Sequence, residues 1–178
     1  MSTQSLPAVQ TPTMLDFISH SVAQTIRIGL RLGERLQSGD LVLLLGDIGV
    51  GKTHLVKGIV QGIGSEDLVT SPSFVLINEY RPGPKAQRSL ASARIHHIDL
   101  YRITEPAELT GIGLEEVLDR YHDICLIEWA DRAATWLPQE HLAIYMQHLA
   151  EDKRILRFVP QGKRYYDLVE TLKQTAFG

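Results

Sequence analysis

The chain has 178 residues, of which 44% are hydrophobic and 22% charged, and its formal net charge is -3 at pH 7. Such a composition excludes a disordered chain, and no apolar run approaches the ~20 residues needed to cross a bilayer. The negative balance also disfavours a protein that grips nucleic acid mainly by neutralising phosphates.

A chain of this length buries roughly 70% of the surface it exposes when unfolded, so a single domain over residues 1–178 is expected. Met1–Thr13 is polar, carries Pro7 and Pro12, and lacks the basic start and apolar centre of a secretory signal. This segment, and the residues up to about 18, read as a flexible lead-in. Ser19 or Ser21 can cap a first helix with Val22, Ile26 and Leu30 on one side, running to about Gln37. Leu41–Leu45 is a continuous apolar run bounded by turn residues, as in a strand buried on both faces. From Lys52, the apolar residues Leu55, Val56, Ile59, Val60 and Ile63 recur at helical spacing, and Gly64 stands where the helix should stop.

Phe74–Tyr80 reads as a strand, residues 81–93 as an exposed loop, and Ile95–Asp99 as another strand. Pro106 suits a first helical turn, although Gly111 and Gly113 interrupt the segment before Leu114, Val117 and Leu118 resume its pattern. Ile124–Ile127 is a second apolar run and ends in an acid. Two further strands, near residues 142–147 and 154–159, precede a C-terminal helix carrying Leu168, Val169 and Leu172. Cys125 is the only cysteine, so no internal disulfide is possible and a cytoplasmic location is expected; its apolar neighbours imply a buried, inert thiol. Arg81, Lys85, Arg88, Arg94 and Arg102 cluster ahead of a strongly acidic stretch from Glu105 to Asp131, a division that reads first as two solvated faces and second as a docking surface.

Between the first apolar run and the second helix lies Gly46-Asp47-Ile48-Gly49-Val50-Gly51-Lys52-Thr53, followed by His54. Glycines there allow successive backbone N–H groups to converge on phosphates, a lysine reaches the β- and γ-phosphates, and a threonine hydroxyl takes one position around magnesium. Strand, glycine-rich loop and helix therefore predict a P-loop that binds ATP with Mg2+. The fold class expected is α/β, a three-layer P-loop NTPase-like sandwich with a largely parallel central sheet and antiparallel edge strands.

Magnesium at such a loop calls for an acid from the end of a neighbouring strand, and Asp99 and Glu128 compete for that role. Glu128 closes the cleaner apolar run, yet by composition either acid could be a surface residue at a strand end. Thr70-Ser71-Pro72-Ser73 reads as a turn before a strand, with hydroxyls that could sense a γ-phosphate. His96 and His97 alternate across their strand, so at most one faces the site, and both read as packing or surface residues rather than metal ligands. Trp129 reads as core or as a cover for the nucleotide. No arginine stands out as a finger, so slow intrinsic turnover is expected, with a small P-loop kinase or a nucleotide-gated binding module as the alternatives.

Taken jointly, Gly46–Thr53, Thr70–Phe74, Glu79-Tyr80, His97-Ile98-Asp99-Leu100-Tyr101-Arg102 and Ile127-Glu128-Trp129 resemble, in the same order, the bacterial TsaE family. These proteins are the ATPase subunits of the machinery that makes N6-threonylcarbamoyladenosine in tRNA, and the resemblance covers about residues 20–160. It implies a weak ATPase coupled to a TsaB and TsaD complex, reaching tRNA only through that complex. Lys52, Asp99 and Glu128 would be catalytic, Thr53 and Glu128 would engage magnesium, and Asp99 would lie near the metal or order its waters. Trp129 would support the nucleotide, Thr70 and Ser71 would lie in the loop that senses the γ-phosphate, and Thr25 and Arg154 are the adenine candidates. Val50 departs from the family's usual alanine, His54 from a common second threonine, and Ser73 from a usual threonine.

Overall fold

The computed structural model describes residues 14–72 and 76–176. Its strands are β1 (Leu15–Ser19), β2 (Leu41–Leu45), β3 (Ile77–Tyr80), β4 (Ile95–Asp99), β5 (Ile124–Glu128), β6 (His141–His148) and β7 (Arg154–Gln161). Its helices are α1 (Val22–Gly33), α2 (Lys52–Ile63), α3 (Ala107–Gly111), α4 (Leu114–Leu118) and α5 (Lys163–Ala176). All the strands join one sheet in the order β1-β7-β6-β2-β5-β4-β3. The inner strands β6, β2, β5 and β4 run parallel, and antiparallel pairs close both edges: β7 and β1 on one side, β3 on the other. The expected α/β sandwich is therefore present, with an antiparallel edge strand at β3 in addition to those at the C-terminal side.

Alternation along β2 shows why the sheet is covered on both faces. Val42 and Leu44 join the core beneath α1, α2 and α5, whereas Leu41 and Leu43 join the core beneath α3 and α4. Successive strand side chains point to opposite faces, so a run without polar residues needs helices on each side. The first core holds Leu32, Leu55, Ile59 and Leu168; the second holds Ile98, Leu109, Leu114 and Ile127.

Most boundaries follow local chemistry. Ser21 caps α1 by accepting from the Gln24 amide, while the Gln24 side chain accepts from the His20 amide, a reciprocal cap at the N-terminus. The helix stops at Gly33 rather than near Gln37. Its axis lies unusually close to α2, because a Cβ on Gly29 or Gly33 would collide with the carbonyl of Leu55 or Ile59, and one on Gly58 or Gly62 with that of Ile26 or Leu30. Four glycines thus set the approach of the two helices. The segment after Pro106 divides into α3 and α4, with Gly113 between them at φ 72.

The lead-in expectation needs correction at its end. Leu15–Ser19 is a strand, fastened to β7 by a bidentate Asp16–Arg157 pair and by edge-on packing of Phe17 against Phe158, with ring centroids 5.1 Å apart. Met1–Thr13 lies outside the described residues, as do Ser73, Phe74 and Val75, so the expected strand from Phe74 is seen only as β3. Among the described residues no helix is long and apolar enough to cross a membrane.

Candidate nucleotide site

The parallel strands β2, β4 and β5 end together at Leu45, Asp99 and Glu128, the side of an α/β sheet where ligands gather. The loop after β2 needs glycine for two different reasons. Gly46 sits at φ 144 and a Cβ there would strike the Met146 carbonyl, whereas Gly49 has open space around it but sits at φ 75, in the left-handed region. Val50 is fully buried and anchors the loop to the core, and its carbonyl accepts from Arg154 Nε at 2.7 Å.

Lys52 opens α2 and is 5% exposed. Its ammonium donates to the carbonyls of Gly46 at 2.7 Å and Asp47 at 2.8 Å, and lies 4.3 Å from the centroid of the Trp129 ring. Burial lowers its pKa, opposed by the charges of Glu128, Asp99, Asp47 and Asp131. Trp129 leaves β5 in the left-handed region at φ 58, a conformation a bulky residue adopts only where its surroundings hold it. Its amide donates to Leu44 at 3.1 Å and its ring meets that of Tyr101 at 5.0 Å.

Register decides how the two acids divide the site. Asp99 and Glu128 stand opposite each other on β4 and β5. Thr53 Oγ1 donates to Glu128 Oε1 at 3.0 Å, joining the start of α2 to the end of β5. Asp99 Oδ1 accepts from the Tyr101 amide at 2.9 Å. On the other side of Glu128, His97 Nε2 meets the same Oε1 at 2.8 Å, and His97 Nδ1 meets the Tyr80 hydroxyl at 3.3 Å. Tyr80 donates in turn to the Thr70 carbonyl at 3.2 Å, which also accepts from Asn78 Nδ2 at 3.1 Å. The alternation expected of the histidines holds, but neither is a surface residue: His96 pairs with Asp123 at 2.7 Å on the opposite face of β4, and both rings are buried.

A cleft of about 370 Å³ opens over this arrangement. Ile48, Gly49, Gly51, Lys52, Thr53 and His54 line it from the loop and the start of α2. Asp99, Glu128 and Trp129 line it from the ends of β4 and β5. Ser71, Tyr101 and Arg102 complete it. Arg102, which the sequence places in a basic cluster and at the end of the His97–Arg102 motif but does not single out as an arginine finger, reaches the cleft on the turn after β4. Gly46 and Asp47 face a separate recess beside Tyr145 and Met146. Thr70 is not among the lining residues; its carbonyl accepts from Tyr80 and Asn78. Of the adenine candidates, Arg154 reaches the phosphate loop, while Thr25 does not line the cleft: it is 1% exposed, and its hydroxyl is 2.8 Å from Ser19 Oγ.

A hydroxyl, a carboxylate bonded to it and a second carboxylate in register supply the hard oxygen donors that magnesium prefers. Among the described residues no group of three or more His, Cys, Asp or Glu side chains would cage a metal. Mg2+ usually takes one or two carboxylates and completes its shell with water and substrate phosphate.

The family model described as "Threonylcarbamoyl adenosine biosynthesis protein TsaE" matches residues 19–156. The chain is 36% identical over 136 residues to the tRNA threonylcarbamoyladenosine biosynthesis protein TsaE of Bacillus subtilis, covering 76% of this chain and 79% of that protein. It is 34% identical over 150 residues to the protein of the same name from Nostoc, covering 83% of this chain and 86% of that one. The crystal structure of Bacillus subtilis YdiB superposes with a TM-score of 0.76 at 29% identity, over 94% of this chain and 99% of that chain.

Proposed function

This chain belongs to the TsaE family of tRNA threonylcarbamoyladenosine biosynthesis proteins, and from that premise we propose that it is a magnesium-dependent ATPase whose turnover drives or resets a TsaB and TsaD complex. The observation that carries the ATPase reading is the 3.0 Å bond between Thr53 and Glu128, which joins the phosphate loop to an acid on the adjacent parallel strand. In this reading the amides from Gly49 to Thr53 hold the β- and γ-phosphates, aided by the positive end of α2. Lys52 places its charge against the same phosphates. Thr53 and Glu128 would hold Mg2+, with Asp99 beside them, and the ion would neutralise charge on the phosphate oxygens. Glu128 or Asp99 would orient the attacking water, Ser71 would face the γ-phosphate, and Trp129 would cover the lysine. The protein would act in the cytoplasm and reach tRNA through its partners.

Phosphate release tests the proposal, measured first with the chain alone and then with TsaB, TsaD and tRNA. A slow magnesium-dependent release that the partners accelerate is expected, and a phosphorylated metabolite in place of inorganic phosphate would point to a kinase instead. Lys52→Ala should abolish tight ATP binding or turnover; unchanged turnover would refute the role assigned to the loop.

A further inference from the structure

We propose that His97 is a positioning residue for the magnesium site, holding Glu128 against Thr53 and linking that carboxylate through Tyr80 to the loop at Thr70. The inference rests on the metal reading of Glu128 given above. It starts from proton counting. An ionised Glu128 can only accept, so the 2.8 Å contact requires the hydrogen on His97 Nε2. In the neutral ring Nδ1 is then an acceptor, and its partner is the Tyr80 hydroxyl at 3.3 Å.

Tyr80 has one proton and two claimants for it, His97 Nδ1 and the Thr70 carbonyl. Burial raises the Tyr80 pKa, so the proton stays on the oxygen. Asn78 Nδ2 donates to both the Thr70 carbonyl and the Tyr80 oxygen, and so satisfies Thr70 when Tyr80 turns to His97. A shift of the loop at Thr70 therefore alters how firmly the imidazole is held, and with it the carboxylate. His97 is 0% exposed and its ring cannot turn to another partner without leaving a buried nitrogen unpaired. Both hydrogen bonds to Glu128 fall on Oε1, so His97 and Thr53 together set the direction of that carboxylate towards the cleft. Supporting hydrogen bonds of this kind orient metal ligands, and their loss typically weakens metal affinity about 10–100-fold.

The test is titration of Mg2+ into the full chain with a non-hydrolysable ATP analogue, followed by calorimetry. His97→Asn keeps an amide near Tyr80 but cannot reach Glu128, and should raise the Mg2+ dissociation constant about 10–100-fold. His97→Gln extends an amide to the Nε2 position and should restore most of that loss. Glu128→Gln is the control. If it weakens Mg2+ binding while His97→Asn does not, the positioning role is overturned and the metal site stands; if neither variant weakens it, the metal reading fails and takes this proposal with it. Should His97→Asn fail to fold, Tyr80→Phe decides the matter, together with ring 15N shifts of His97 in the metal-free wild type. A hydrogen on Nε2, and a severalfold weaker Mg2+ affinity in Tyr80→Phe, support the proposal. A hydrogen on Nδ1 alone, or unchanged affinity in Tyr80→Phe, overturns it.

Discussion

Neighbouring histidines on β4 make the same kind of contact and serve opposite ends of the sheet. His96 meets Asp123 at 2.7 Å, where Asp123 precedes β5 and also accepts from the Arg94 amide at 2.8 Å, so the pair fastens the beginnings of β4 and β5. His97 meets Glu128 at 2.8 Å, at the far end of β5, where the carboxylate also accepts from Thr53 and lines the cleft. A buried histidine–carboxylate pair therefore says little about function until the strand end that carries it is known, since ligands gather at the carboxyl ends of parallel strands.

The largest effect is expected at the carboxyl end of β5. Glu128→Gln should cut phosphate release at least ~10²-fold, as expected where a group fixes charge or water at a transferring phosphoryl, while the thermal midpoint moves little. Full release by that variant would remove Glu128 from the chemistry. Asp123→Ala should do the reverse: a stability loss of about 1–3 kcal/mol in denaturant titration, from stranding the buried His96 ring and the Arg94 amide, with release per folded molecule kept. A variant that loses activity but not stability would contradict the assignment.

Acid sharpens the contrast further. Burial, the largest single influence, would raise the Asp123 pKa, but the hydrogen bonds from His96 and the Arg94 amide, together with nearby positive charge, outweigh it and the net shift is downwards. A carboxyl with a depressed folded-state pKa adds stability above its unfolded value, near pH 4, and loses it as pH falls through the folded value. The stability gap between wild type and Asp123→Asn should accordingly be full at neutral pH and close below about pH 4; a gap that widens in acid would invert the sign. The smallest effect concerns Cys125, which stands opposite His96 in the β4–β5 register. Burial, with a lesser push from the Asp123 charge, drives its thiol up to about 12. Alkylation at pH 8 should therefore be negligible in the native chain and become fast only in denaturant.

Legibility differed sharply between regions. The glycine-rich loop after β2 is plain in the sequence, because its glycines, lysine and threonine are contiguous. Strand β2 and helix α2 were equally plain from unbroken apolarity and helical spacing. Strand β1 was missed: Asp16 interrupts a five-residue segment, and its stability comes from Arg157 and Phe158, distant in sequence. The glycines at 29, 33, 58 and 62 gave no warning either, since each is needed only because another helix backbone passes against it. For the same reason Arg102 reads as one cation among several until the turn after β4 delivers it to the cleft.

Composition and local pattern were enough to determine the glycine-rich loop between β2 and α2, the layered α/β class and the acids available at two strand ends. Only the tertiary structure decided that Glu128 is shared by Thr53 and His97, that His96 points elsewhere, and that Tyr80 joins Thr70 to the site. Those bonds link residues 75, 31 and 17 positions apart. Their existence depends on strand order and register, and a shift of one residue along β4 would have exchanged the two histidines between faces.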